Sequence, residues 1–271
     1  MMEIWEAIVV GIVQGLAEFL PISSSGHIVL TQYLLGIREA GAEHSNYSFE
    51  IILHLGTLVS VLIFFRASVW RLVQSLFNSE MVEERKTILW LFIATLPAVI
   101  AALLFGDFFD AAPGKPVLVS GLLIVTGLVL FIPRLVKGGA EKVGMKSSIV
   151  MGIGQAMAIL PGISRSGSTI AAGLVSGVKA ERAAEFSFLM SIPAILGGFV
   201  LTLKKSMDDK GSFSEAWTSC FNPAYLAGAA AAAVVGLLAI YLVMGAVKRG
   251  KLEYFSYYCF AAGIAGMIYW W

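Results

Sequence analysis

Six apolar runs, at about 50–65, 87–105, 117–133, 184–203, 224–247 and 254–271, mark out this 271-residue chain. Each is near the ~20 residues that a helix needs to cross the hydrocarbon core of a bilayer. The shortest, 50–65, is completed by its flanks. Only 14% of the residues are charged and 58% are hydrophobic. A soluble domain carries about 25% charged residues. A chain with so few charges has too little polar surface to face water, and the bilayer is its natural solvent. No stretch is long enough for a soluble domain. The net charge of +1 and the lack of a basic, aromatic-laced patch give no support to nucleic-acid binding. Cys220 and Cys259 lack metal-ligand spacing and are too few for a disulfide framework, so both read as structural. The start, Met1-Met2-Glu3-Ile4-Trp5-Glu6, has acidic residues and no basic segment, which predicts that it is retained rather than cleaved.

Two further apolar regions, 4–36 and 147–178, are broken at their middles. The first break is Leu20-Pro21-Ile22-Ser23-Ser24-Ser25-Gly26-His27; the second is Leu160-Pro161-Gly162-Ile163-Ser164-Arg165-Ser166-Gly167-Ser168. Pro and Gly in series stop a helix. Each half is too short to cross alone, so each region is expected to be a re-entrant pair of half-helices. Irregular backbone at membrane depth survives only where protein or a watery cavity satisfies it. The two regions also match each other. Offset by 141 residues, 8–26 and 149–167 share ten identities in nineteen ungapped positions, among them Gly11/Gly152, Gln14/Gln155, Ser23/Ser164, Ser25/Ser166 and Gly26/Gly167. This indicates a duplication. The expected fold is an all-α polytopic membrane protein of about six transmembrane helices and two re-entrant hairpins, one domain over 1–271, with repeat 1 at about 1–135 and repeat 2 at about 145–271. Three spans separate the hairpins, an odd number, so the repeats are inverted. Such architectures build their site at the midplane from broken helices, whose N-terminal ends attract anions.

Basic residues in loops set orientation. Thirteen, from Arg66 to Lys251, fall on one side; five (Arg38, Lys115, Lys204, Lys205 and Lys210) fall on the other. The first side is expected to be cytoplasmic, with both termini and the main access to the site facing outward.

Polar groups inside apolar runs are costly and need a reason. Gln14 and Glu18 are four apart and share a helix face. Glu18 is read as a general acid or base, a ligand for a divalent cation with Gln14 nearby, or an ion-pair partner of a distant arginine. His27, after three serines, is read as nucleophile, acid or base; Ser24 is the rival nucleophile, with His27 activating it. Arg165 has the planar fork that suits phosphate oxygens, with serine hydroxyls to complete a cradle. Its alternative is a structural pair with Glu18, and both readings can hold together. Glu50 and Glu185 lie at span ends, as pore-mouth carboxylates or solvated interface groups. His54 is read as a packed histidine. This inventory fits phosphoryl chemistry on a lipid-borne phosphate. A transporter or flippase of a lipid phosphate is the second reading, since it needs the same architecture and cradle.

The segment Gln14–His27, Gln-Gly-Leu-Ala-Glu-Phe-Leu-Pro-Ile-Ser-Ser-Ser-Gly-His, resembles the first signature of the undecaprenyl-diphosphatase, or bacitracin-resistance, family. Pro161–Thr169 resembles its second, P-G-x-S-R-S-x-x-T. The resemblance extends to length and hydropathy layout. It implies hydrolysis of undecaprenyl diphosphate to the monophosphate and phosphate at the bacterial plasma (inner) membrane, recycling the carrier lipid of cell-wall glycans. It implies a divalent cation, Mg2+ or Ca2+, and the lipid substrate and membrane lipid as partners; a homodimer is compatible with it. By the same resemblance Glu18, Ser24, His27 and Arg165 are the catalytic set, and Ser23, Ser25, Ser164, Arg165, Ser166 and Thr169 surround the phosphate. The family has Glu or Gln where this chain has Gln14; a neutral amide is a weaker metal ligand than a carboxylate.

Overall fold

The computed structural model describes residues 2–37, 47–135, 139, 142–210, 217 and 222–271. Arg38 and Cys220, invoked above, lie outside them, as do the side chains of Lys205 and Lys210. The described residues form eleven α-helices: α1 (Ile4–Phe19), α2 (Ser24–Leu34), α3 (Tyr47–Phe64), α4 (Arg66–Phe77), α5 (Val82–Ala111), α6 (Pro116–Phe131), α7 (Met145–Met157), α8 (Arg165–Val175), α9 (Ala180–Lys210), α10 (Pro223–Lys248) and α11 (Glu253–Trp270).

The chain is an all-α, multi-pass membrane protein. Among the described residues four helices are long and apolar enough to span: α5, α6, α9 and α10. α3 with α4 makes a fifth candidate, bent by 84° at Phe65. The expected sixth span, 254–271, is the 18-residue α11. Its four tyrosines and terminal tryptophans lower its hydropathy below that of the other five, so it stands by length but not by apolarity. α4 was not expected as a separate element. It is amphipathic, with Trp70 and Phe77 exposed beside Arg66 and Arg71, a pattern that suits the membrane surface.

Both broken regions fold as pairs of short helices that pack on each other, α1 with α2 and α7 with α8. The packing is reciprocal between the halves: α1 lies along α10, and α7 lies along α5. Gly11 and Gly152, equivalent in the duplication, make both crossings close. A Cβ on Gly11 would stand 2.2 Å from the Gly228 carbonyl oxygen, and one on Gly152 would stand 2.6 Å from that of Ala94. In α10 the small residues Ala224, Gly228, Ala232 and Gly236 recur every four positions and form the buried stripe that receives α1. Small residues let helices approach where lipid removes the hydrophobic drive to associate. α6 and α11 pair in the same way, through Gly127, Gly263 and Gly266, with Ser256 donating to the Gly127 carbonyl at 2.6 Å. A core of Phe19, Phe65, Met151, Ile170 and Phe188 fixes the end of α1 against α8 and α9. The Phe19 and Phe188 rings meet edge-to-face, 5.6 Å between centroids.

Candidate active site

The two breaks face each other at the start of α2 and α8. Each helix is capped by the serine before it: Ser23 accepts from the Gly26 N–H at 3.3 Å, and Ser164 accepts from the Gly167 N–H at 3.0 Å. These are the same position in the two repeats. The loops are also tied to each other, by Gly162 N–H donating to Ser23 Oγ at 3.2 Å and Ser166 Oγ donating to the Leu20 carbonyl at 3.4 Å. Thr126 of α6 clasps the second loop, donating to the Gly162 carbonyl at 2.7 Å and accepting from the Ser164 N–H at 2.9 Å. Ser23 has φ 73°, a left-handed conformation that costs a non-glycine residue about 1 kcal/mol or more. These ties hold it there.

Glu18, on the last turn of α1, is the floor of the site. Its side chain is 3% exposed, against 17% for Arg165 and 25% for His54. Glu18 Oε2 accepts from Ser24 Oγ at 2.6 Å and from Gln14 Nε2 at 3.2 Å. Its Oε1 is bound by one terminal nitrogen of Arg165. The other terminal nitrogen, Nη1, is buried with no acceptor among the described residues. His54 of α3 brings Nε2 to 3.5 Å from Glu18 Oε2. Glu18, Ser24, Arg165 and Gln14, expected from sequence, are therefore together. His54 joins them, as does Thr57, which receives Gln14 Nε2 at 3.5 Å. In the sequence His54 reads as a packed histidine. The available signal was that His54 and Thr57 are polar, three apart on one face of an apolar helix.

His27 does not join that cluster through any hydrogen bond among the described residues. Its Nδ1 lies 2.8 Å from the Ser23 carbonyl and must donate to it. Nε2 then accepts from Tyr258 OH at 2.8 Å, and the two rings stack. The hydroxyls expected around phosphate also tie the loops. Ser23 and Ser164 are caps, and Ser25 lies 3.4 Å from Ser23 Oγ. Ser166 lies 3.3 Å from Ser164 Oγ, and Thr169 pairs with Ser187 at 2.6 Å. At membrane depth the broken backbone needs partners, and these side chains supply them. For an anion the loops offer the free Arg165 nitrogen, the first-turn N–H groups of α2 and α8, and serine hydroxyl protons, since a capping serine accepts and keeps its O–H to donate. Glu185 lies apart, paired with Ser68 and Arg182.

A divalent cation is implied by the resemblance. Among the described residues no three His, Cys, Asp or Glu side chains gather. The cluster offers one carboxylate, to which Ser24, Gln14 and Arg165 already donate, and Gln14 turns its Nε2 rather than its oxygen toward it, so as arranged the donor set is short of a cation site.

Comparison with known proteins agrees with the motifs. Residues 7–265 match the family described as Bacitracin resistance protein BacA. A protein of Methanobrevibacter smithii named undecaprenyl-diphosphatase is 41% identical over 281 residues, covering 97% of this chain and 96% of that one. Proteins of the same name from Syntrophotalea carbinolica and Korarchaeum cryptofilum are 40% and 37% identical, over 267 and 273 residues. These alignments cover 97% of this chain in both cases, and 97% and 98% of the relatives. With motifs, fold and near-full-length similarity in agreement, the chain belongs to the bacitracin resistance protein BacA family.

Proposed function

We propose that this chain hydrolyses undecaprenyl diphosphate to undecaprenyl phosphate and inorganic phosphate, recycling the carrier lipid and removing the form that bacitracin traps. The observation that carries the chemistry is one carboxylate held from both loops: Glu18 by Ser24 and by Arg165. The lipid tail stays in the bilayer while the diphosphate reaches the loops. Arg165 Nη1 binds its terminal phosphate, aided by the N–H groups that open α2 and α8. Glu18 aims the Ser24 hydroxyl through their hydrogen bond. The transition state of phosphoryl transfer is loose, so aim and charge stabilisation matter more than a strong base. Ser24 Oγ bonds to the terminal phosphorus as the bond to the bridging oxygen breaks, and undecaprenyl phosphate departs with that oxygen. The hydroxyl proton passes to a phosphate oxygen. Water then attacks the phosphoserine, releasing phosphate and restoring the hydroxyl. His27 braces Ser23 in its left-handed conformation, with Tyr258 as the outer bracket. Glu18, with Gln14 beside it, would be the residue to hold a divalent cation, which would supply further charge stabilisation at the phosphate oxygens.

The membrane is the plasma membrane, with the site open to its outer face; the basic residues gathered on the opposite side support this. Phosphate release from undecaprenyl diphosphate by the purified chain in detergent, with and without a chelator, tests the activity and the cation together. Release that the chelator stops is the expected result. No release from folded protein in a single compartment overturns the hydrolase reading.

A further inference from the structure

We propose that a cavity outside the active site holds the head of a membrane phospholipid that carries both a phosphate and a primary amine. The cavity measures about 490 Å3 and lies among α4, the beginnings of α5 and α9, and the chain entering α7. It shares no residue with the Glu18 cluster. Its depth points to lipid. α3 and α4 meet at 84°, so with α3 crossing the bilayer α4 runs along its surface. α4 turns Trp70 and Phe77 outward, 63% and 87% exposed, while Ser68, Arg71 and Leu72 line the cavity. A helix divided in this way lies at the level of lipid heads, and so does the cavity behind it.

The lining names the head. Its floor is apolar, with Phe186 and Leu189 buried and Trp90 half-buried. Above it both signs of charge stand in order. Glu185 accepts from Ser68 Oγ at 2.7 Å and from Arg182 at 3.2 Å, and Arg71 donates to the same Ser68 oxygen at 3.2 Å. Glu83 lies between Lys86 at 3.1 Å and Lys142 at 3.5 Å. Two cations thus bracket each carboxylate, which leaves positive charge in excess at both places. Pairs this open to water are weak and can turn to phosphate oxygens at little cost. Glu84 is the third carboxylate of the lining, half-buried and in no ion pair among the described residues. It suits an ammonium that brings N–H donors. A head with phosphate alone would set like charge against Glu84, and a quaternary ammonium has no N–H to give it. Phosphatidylethanolamine supplies both groups, with the amine leading inward and the phosphate held by Arg71 and Arg182.

The inference stands apart from the hydrolase reading, because lipid retention is measured without turnover. The purified full-length chain in detergent is titrated with phosphatidylethanolamine, phosphatidylcholine and phosphatidylglycerol of matched acyl chains, and bound lipid is counted by native mass spectrometry. Phosphatidylethanolamine is expected to bind about tenfold tighter than either of the others, the scale of one hydrogen bond to a charged group. Glu84→Gln removes its advantage over phosphatidylcholine and leaves phosphatidylcholine binding as it was. Arg71→Gln weakens both lipids alike, since both carry the phosphate. The unfolding temperature rises with phosphatidylethanolamine in the unaltered chain and rises less in each variant, which also shows that the variants are folded. Equal binding of the three lipids, tighter binding of phosphatidylglycerol, or an unchanged preference in folded Glu84→Gln overturns the inference.

Discussion

Ser24 and Arg165 hold opposite oxygens of one carboxylate, Oε2 and Oε1 of Glu18, and they occupy the same position in two loops offset by 141 residues. The duplication supplied two facing loops with matched caps. Divergence at this one position made one loop offer a hydroxyl and the other a guanidinium. Glu18 itself has Ile159 as its counterpart, so the site has a single acidic centre.

Arg165 carries both the pair with Glu18 and the free nitrogen assigned to phosphate. Arg165→Lys keeps the charge but loses the fork, and hydrolysis is expected to fall by about 10²–10³, as when one donor to developing charge is removed. Arg165→Ala falls further. Phosphate release against lipid concentration checks this; a normal rate in either variant rules out the assignment.

Ser24 is the assigned nucleophile. Ser24→Ala is expected to lower hydrolysis by about 10³ or more, the scale on which removal of a covalent nucleophile acts. Acid quenching after brief exposure to lipid labelled in its terminal phosphate should trap phosphoserine in the wild type and none in the variant. A labelled residue other than Ser24 would refute the assignment.

Thr126 touches no substrate in this account, yet it clasps the loop that bears Arg165. Thr126→Val preserves shape and strips partners from a buried carbonyl and a buried N–H, a loss of about 1–3 kcal/mol for each group left unmet. Lower thermal stability and slower hydrolysis are expected together, with Thr126→Ser restoring both. Full activity in Thr126→Val would show that the loop holds its shape without the clasp.

Gly11 and Gly121 offer a contrast in packing. A Cβ at Gly11 meets the Gly228 carbonyl at 2.2 Å, whereas nothing lies within 4 Å of one at Gly121. Gly11→Ala is expected to destabilise by about 1–3 kcal/mol through overpacking, and Gly121→Ala to be neutral. Unfolding temperatures in detergent decide it. Equal values would mean that α1 and α10 do not cross this closely.

The chain's own order of residues determined the membrane class, the two broken helix pairs, their likeness to each other, and the polar residues Glu18, Ser24 and Arg165 that flank the breaks. Apolar length, Pro-Gly breaks and repeated letters are local signals that need no third dimension. Tertiary structure alone decided which polar groups meet. His54 lies 36 positions from Glu18 and looked like ordinary helix packing, because one histidine in an apolar run has no local feature that marks a partner on another helix. His27 sits in the signature yet turns to Tyr258, 231 residues away, because α11 packs beside the first loop. The serines read as a phosphate cradle also serve as caps and ties, since a broken helix within a bilayer must satisfy its own backbone. Local pattern reveals where a chain breaks and repeats. Which side chains then face each other across the breaks is set by how closely glycines let the helices approach.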